Sequence, residues 1–388
     1  MSADEQDRLA RVTLSRVGEP GQPKLGSMLR EHGAVRLLEL LRSPALQTAR
    51  PTALAADLEA RLAGVDPERE LARAAEAGLR FVVPGDAEWP DALDDLAHAP
   101  PLHERGDVPV GLWCRGPLRL DEACRQAVAV VGSRSATSYG GQVAGDIAAT
   151  LAREQWTTVS GAAFGIDHDA HRGALARRGP TVGVLACGVD RAYPRGNQPL
   201  IDYIAEVGLL VSEAAPGCAP TRIRFLARNR LIAALARGTV VVEAAVRSGA
   251  LNTASWTAGL GRVLMGVPGP VTSAPSVGVH QLLRTRDAVL VTSGEEVLEA
   301  VGPIGSFVLP EPRDPDGPRD RLGSRERQVL DAVPKRAGVE SRAIAHTAGV
   351  SHARTQESLL VLHRAGLVEH SLGRWRLAAT VAETDEPP

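Results

Sequence analysis

Between about residue 125 and residue 300 the chain alternates short apolar, β-branched runs with stretches of helical period. The runs are "AVAVV", "TTVS", "TVGVLA", "LLVS", "TVVVE", "RVLMGV" and "AVLVT". Strands without polar alternation are covered on both faces, and intervening helices of roughly 10 to 15 residues imply right-handed β-α-β units. The expected fold class is therefore α/β, a doubly wound parallel sheet over 125–301. Residues 1–80 read instead as a small helical domain, in which "KLGSMLREHGAVRLLELLRS" repeats its apolar positions at helical spacing around an "HGA" turn. Residues 81–124, rich in proline and polar turns, read as an irregular connector leading into a strand near Leu112.

Pro303, Pro310, Pro312, Pro315 and Pro318 crowd the next segment, so 302–322 is expected to be an extended linker. "SRERQVLDAV", "SRAIAHTAGV" and "SHARTQESLLVLHRAGLVEH" then start three helices on serine, and "SLGRWRLA" adds strand pattern, which suits a winged helix over 323–378. Residues 379–388 are expected to be a disordered tail. Composition changes little in this picture. A net charge of −2 over 388 residues supplies no global basic field, so nucleic-acid binding needs a local patch. Cys114, Cys124, Cys187 and Cys218 form no C-x-x-C pair, which argues against a disulfide framework or a zinc site and fits a cytoplasmic protein. The N-terminus has no apolar targeting segment, and no apolar run approaches the roughly 18 residues of a membrane span, so no membrane is expected.

Ligands of doubly wound sheets bind beyond the carboxyl ends of the strands. Three such ends here carry small residues: Gly132, Ser133 and Arg134 after the first strand, Ser160 and Gly161 after the second, and Glu243 with "VRSGALNTA", containing Ser248, Gly249 and Thr253, after the fifth. Small residues admit a ligand close to the backbone, and free N–H groups at helix starts attract an anion. Neither G-x-x-x-x-G-K-[ST] nor G-x-G-x-x-G is present, so a P-loop or an ordinary dinucleotide site is not indicated, and no cofactor is expected. Arginines at 222, 224, 228, 230, 237, 247 and 262 face one acid, Glu243, in the same stretch. In "RIRFLARNRLIAALARG" Arg224 and Arg228 stand i, i+4, with Asn229 and Arg230 beside them: either a solvated face or a strip that follows a phosphate backbone.

Phe164, in the turn "SGAAFGID", either stacks on a base or covers a core edge. Asp167 and His171 also stand i, i+4. Without a third ligand at a familiar spacing they read as a helix N-cap and a hydrogen-bonded histidine, with Gly165 turning the chain before them, and no metal is expected.

In order, "VVGSRSATSYG", "VSGAAFGIDHDAHRGAL", "VGVLACGVDRAYPRGN", "LLVSEAAPG", "RFLARNRLIAALARGTVVVEAAVRSGALNTA" and "VPGPV" resemble the DNA-processing protein family, DprA or Smf, over about 107–300. The resemblance implies an extended Rossmann-like domain flanked by a sterile-alpha-motif-like helical domain and a winged helix. It implies a non-catalytic protein that binds and shields single-stranded DNA, forms a homodimer, and helps load RecA recombinase in natural transformation and recombination. Gly132, Ser133 and Arg134 would hold a backbone phosphate, Ser160 and Gly161 would line the same pocket, Arg228, Asn229 and Arg230 would extend it, and Ser248, Gly249 and Thr253 would form the neighbouring helix start. The family's second loop often reads G-x-A-[RK]-G-I-D, and here Phe164 takes the basic position; His280 stands where asparagine is more usual. Two alternatives remain open: a phosphoribohydrolase-type nucleotide enzyme using Glu243, and a duplex binder using Ser351, His352, Arg354 and Gln356 of the winged helix.

Overall fold

The computed structural model describes residues 3–42, 61–62, 64–285, 288–309, 319 and 321–378, in two compact units, Met1–Leu309 and Pro310–Pro388. Residues 43–60 of the expected helical domain, 310–318 of the expected linker and the expected tail lie outside the described residues.

In the first unit one sheet holds β1 (Leu79–Val82), β2 (Leu112–Arg115), β3 (Ala127–Val131), β4 (Thr157–Ser160), β5 (Thr181–Val184), β6 (Leu209–Ser212), β7 (Gly238–Val241), β8 (Val263–Gly266) and β9 (Val289–Leu290). Their order is β1-β2-β6-β5-β4-β3-β7-β8-β9. From β6 across to β9 every neighbouring pair is parallel, as the strand–helix alternation predicts. The strand near Leu112 is a member of this sheet, paired antiparallel to β6, and β1 pairs antiparallel to it in turn. Leu79–Val82, which straddles the expected helical domain and connector, is thus the sheet's edge. Successive strands run from β3 outward to β6, then restart at β7 on β3's other side, so the topological switch point lies at the carboxyl end of β3.

The helices are α1 (Ala3–Val17), α2 (Pro23–His32), α3 (Ala34–Arg42), α4 (Pro67–Glu76), α5 (Leu120–Arg125), α6 (Ser138–Arg153) and α7 (Ile166–Ala176). They continue with α8 (Gln198–Val207), α9 (Arg222–Ala234), α10 (Ala250–Gly259), α11 (Val277–Thr285) and α12 (Gly294–Val301). β3 shows why "AVAVV" has no polar position. Ala127, Ala129 and Val131 pack with Leu231 and Ile232 of α9 and Trp256 of α10, while Val128 and Val130 pack with Ile147 of α6 and Ala170 of α7. Each such valine contributes about 1.5–3 kcal/mol by leaving water.

At the N-terminus α1, α2 and α3 bury Leu14, Leu37 and Leu41 together. The "HGA" turn between α2 and α3 places Gly33 at φ +74°, where a side chain would be strained. A buried ion pair ties this bundle to the sheet. Arg230 of α9, fully buried, donates to both oxygens of Glu213 at 2.7 and 2.8 Å and to Asp107 O at 3.1 Å. Gly21 N–H from the bundle donates to the same Glu213, and Arg30 of α2 pairs with Asp107. Across the sheet's other layer, His171 of α7 is buried and bonds through Nδ1 to Thr181 Oγ1 at 2.8 Å. Thr181 gives its own proton to Thr158 O, so Nδ1 carries the hydrogen.

The second unit contains α13 (Ser324–Asp331), α14 (Ser341–Ala348) and α15 (His352–Arg364), followed by the antiparallel hairpin β10 (Val368–Ser371) and β11 (Arg374–Leu377). Val329, Ile344, Leu359, Leu362 and Trp375 form its core. Its described elements are thus three helices followed by one hairpin.

The buried polar groups make stability testable at two points. Glu213→Ala leaves Arg230 charged and unpaired, and should lower the unfolding free energy by about 3–5 kcal/mol in denaturant titration; an effect below about 1 kcal/mol would show that the pair is dispensable. Burial pulls the His171 pKa from its ordinary 6.5 down to about 3. The unfolded chain therefore gains a proton below about pH 6.5 that the folded chain cannot, and stability falls toward pH 3 by up to about 1.4 kcal/mol per pH unit. His171→Gln should flatten this slope between pH 6.5 and 4. Asp167, held above its ordinary pKa by burial, acts in the opposite direction in both proteins. An unchanged difference between the two proteins over that range would contradict this assignment.

Candidate functional site

A cavity of about 730 Å³ opens at the switch point. Gly132, Ser133 and Arg134 enter it from the end of β3, Ala163 and Asp167 from the β4–α7 turn, Phe225, Arg228 and Asn229 from α9, and Ser248, Gly249 and Thr253 from the start of α10. Three strand ends that lie far apart in sequence thus converge on it.

The loop after β3 is latched from below by Glu243. This carboxylate is buried and accepts from Thr137 N–H at 2.9 Å and Thr137 Oγ1 at 2.5 Å. Gly140 lets it pass, since a Cβ there would lie 2.4 Å from the carboxyl carbon. Ser133 N–H donates to Glu243 O at 2.7 Å, so what the loop offers an anion is Arg134 and its neighbouring hydroxyl, not the Ser133 amide. α10 supplies a helix N-terminus, with Gly249 as its cap and Ser248 Oγ accepting from Ala250 N–H.

α9 starts at Thr221, whose hydroxyl caps Arg224 N–H, and from Ala227 to Ala234 every residue is buried. Burial all round the helix decides the fate of its arginines, because a buried cation needs a partner. Arg230 finds Glu213 and faces away from the cavity. The expected role of Arg230 in holding phosphate is therefore corrected: its charge is already satisfied in the core. Arg224 pairs with Glu19 at 3.1 Å, Arg237 donates to Arg125 O, and Arg262 pairs with Asp95, so the continuous basic strip does not exist. Arg228 remains incomplete. It donates through Nη1 to Val184 O at 3.0 Å, while its buried Nε has no partner among the described residues. Burial pulls its pKa down against the opposing pull of Asp167.

Gly161 makes this placement of Arg228 possible. A Cβ on Gly161 would lie 1.6 Å from Arg228 Nη1, so a side chain there would displace the guanidinium. Ser160 is a correction: fully buried, it donates to Val130 O at 2.6 Å and does not reach the cavity. Gly165 sits at φ +74°, and a Cβ there would collide with Ser133 O. Asp167 is not the helix cap. It stands in the first turn of α7, and its carboxylate reaches back to Gly161 N–H at 3.2 Å, with the Gly132 and Ala163 amides also directed at it. His171 is a core residue bonded to Thr181 and is not part of the cavity lining. Phe164 is 47% exposed and outside the lining, its ring against Gly196. His280 bonds to Gly269 O.

Phe225 escapes the reading of the sequence, and Arg222 and Arg247 are counted there among the arginines without being picked out as site residues. Phe225 has two guanidiniums near its ring, Arg134 at 4.8 Å and Arg228 at 5.8 Å from the ring centre, with the Tyr193 ring centre 5.7 Å away. Arg222 and Arg247, both exposed, complete the rim. Phe225 reads in sequence as one more apolar helix position; the available signal is an aromatic among arginines in a chain with only 3% aromatics.

Among the described residues no group of three His, Cys, Asp or Glu is arranged to hold a metal ion, and no helix is long and apolar enough to cross a membrane. The arrangement is a cationic cavity with an aromatic wall. Its one buried rim acid, Asp167, is held by backbone amides, and Glu243 is held by Thr137.

A family model described as DNA recombination-mediator protein A matches residues 80–302. A putative DNA processing protein DprA of Mycobacterium tuberculosis is 44% identical over 366 residues, 94% of this chain and 92% of its own. DNA processing protein DprA of Streptococcus pneumoniae is 42% identical over 197 residues, 51% of this chain and 68% of its own. The X-ray structure of DNA processing protein A from Streptococcus pneumoniae superposes with a TM-score of 0.62 at 30% identity, covering 79% of this chain and 99% of that one. With more than half of its length under the family model and a relative matched almost end to end, this chain belongs to the DNA recombination-mediator protein A (DprA) family.

Proposed function

We propose that the chain binds single-stranded DNA in the switch-point cavity and acts without catalysis, shielding the strand and helping to load RecA recombinase in recombination and natural transformation. The observation that carries the reading is the trio Arg134, Phe225 and Arg228: two guanidiniums beside one aromatic ring on the cavity lining. Guanidiniums suit phosphate, and an aromatic face takes any base, which is the pairing that sequence-tolerant binding of single strands requires. A duplex keeps its bases turned inward and cannot present one to Phe225. Arg222, Arg247 and the α10 N-terminus lie where phosphates on either side would pass. Loading of RecA, action as a homodimer and a cytoplasmic location are parts of the proposal supported by membership of a recombination-mediator family.

Neither alternative gains support. Glu243 is held by both the hydroxyl and the amide of Thr137, which does not suit a carboxylate that must act on substrate. On α15, Leu360 and Val361 are 54% and 47% exposed and Glu357 is exposed near them, a poor surface for duplex phosphates.

Fluorescence anisotropy of labelled oligothymidylate and its duplex, at two salt concentrations, tests the reading. Wild type should prefer the single strand, and affinity should fall steeply with salt. Arg134→Ala should weaken single-strand binding by about 1–3 kcal/mol and reduce the salt slope by about 0.7 for each phosphate that the variant no longer neutralises. Equal or stronger duplex binding that ignores Arg134 would refute it.

A further inference from the structure

Beside the cavity, the segment 189–197 between β5 and α8 interleaves cations with an aromatic: Arg191, Tyr193 and Arg195 alternate, and all three are exposed. Neither guanidinium makes a hydrogen bond or ion pair among the described residues. The one acid of the segment, Asp190, is already engaged, accepting from Gly217 N–H at 2.9 Å. Tyr193 lines the cavity, and its ring centre lies 5.7 Å from that of Phe225. Three residues on, Gly196 lies against the Phe164 ring: a Cβ there would come within 2.9 Å of Phe164 Cζ, so a side chain would displace the ring. Buried Asn197 ties the two loops together, donating through Nδ2 to Ala162 O at 3.1 Å and Ala163 O at 2.9 Å, the carbonyls just before Phe164. Tyr193 and Phe164 are thus held in place, yet 41% and 47% exposed, in a chain with only four Phe and three Tyr. Two aromatic rings fixed on neighbouring loops and facing water form a platform for planar groups.

We propose that this segment, with Phe164, is a second DNA station outside the cavity: the strand leaves past Tyr193, its phosphates meet Arg191 and Arg195, and its bases stack on Tyr193 and Phe164. This inference rests on the single-strand reading and adds a route to it. Guanidiniums on both sides of an aromatic suit a chain in which phosphate and base repeat, whereas a lone nucleotide would fill only the cavity. The strand therefore runs out on the β5 side of the cavity, and the protein holds several consecutive nucleotides. Stacking involves no net charge, while phosphate neutralisation releases counterions, so the two kinds of contact differ in their response to salt.

The test uses the full chain, with labelled oligothymidylate and an oligomer of the same length whose deoxyribose-phosphate chain carries no bases, each titrated at several salt concentrations. Phe164→Leu should weaken binding of oligothymidylate about tenfold, with the salt slope and the affinity for the base-free chain unchanged. Arg191→Ala combined with Arg195→Ala should lower the salt slope by about 1.4, about 0.7 for each phosphate no longer neutralised. No loss of oligothymidylate affinity in Phe164→Leu, an equal loss for the base-free chain, or an unchanged slope in the arginine variant would each overturn the proposal. Wild type alone decides if the variants do not fold. Irradiated on an oligonucleotide with 5-iododeoxyuridine in place of thymidine, which crosslinks to aromatic side chains that it stacks on, it should yield crosslinks at Tyr193 and Phe164 as well as Phe225. Crosslinks that miss both Tyr193 and Phe164 would overturn the proposal while the single-strand reading stands. Failure of wild type to bind oligothymidylate at all would overturn both.

Discussion

Arg228 lies against the backbone of Gly161 with no space for a side chain between them, and most of the site is arranged around that contact. The guanidinium is almost entirely removed from water, one of its N–H groups meets a carbonyl, and its Nε meets nothing among the described residues. Burial opposes its charge, and the nearby Asp167 carboxyl supports it. The β4–α7 turn and the end of β5 hold the guanidinium in this place.

Those neighbours are fixed by interactions that never touch a ligand. Arg230, two positions along α9, anchors the helix through Glu213 and Asp107, and so sets the depth at which Arg228 and Phe225 enter the cavity. Asn229, between them, donates to Gly249 O and Asn252 Oδ1 and ties the same helix to the α10 start. Glu243 does the equivalent for the β3 loop through Thr137. Three consecutive residues of α9 thus do three different things: Arg228 serves the site, Asn229 joins it to the next loop, and Arg230 holds the core.

That division explains what the sequence conveys and what it hides. The seven parallel strands are legible because sheet faces covered on both sides demand unbroken apolar runs, and the converging loops are legible because glycine and serine after such runs mark close approach. Asp167 and Glu243 are visible as residues, and their duties as loop ties emerge only from the fold. The arginines of α9 are read too generously. Local charge counting sees one acid, Glu243, in the stretch, yet Arg224 meets Glu19 from 205 residues away and Arg230 meets Glu213 from 17 away. β1 is missed for a similar reason: "LRFV" becomes a strand by pairing with β2 across a proline-rich segment, and no local period announces it. Phe225 is hidden because an aromatic at a functional wall and an aromatic in a core have the same local pattern.

If the site works as proposed, the three loops at 132–135, 161–165 and 247–250 act as one seat for a single DNA strand. Hydrogen–deuterium exchange of the full chain, with and without saturating oligothymidylate, tests this most directly. Peptides spanning all three loops and the start of α9 should gain protection together at the same DNA concentration. Protection confined to 323–378, or to one loop with the other two unchanged, would contradict it.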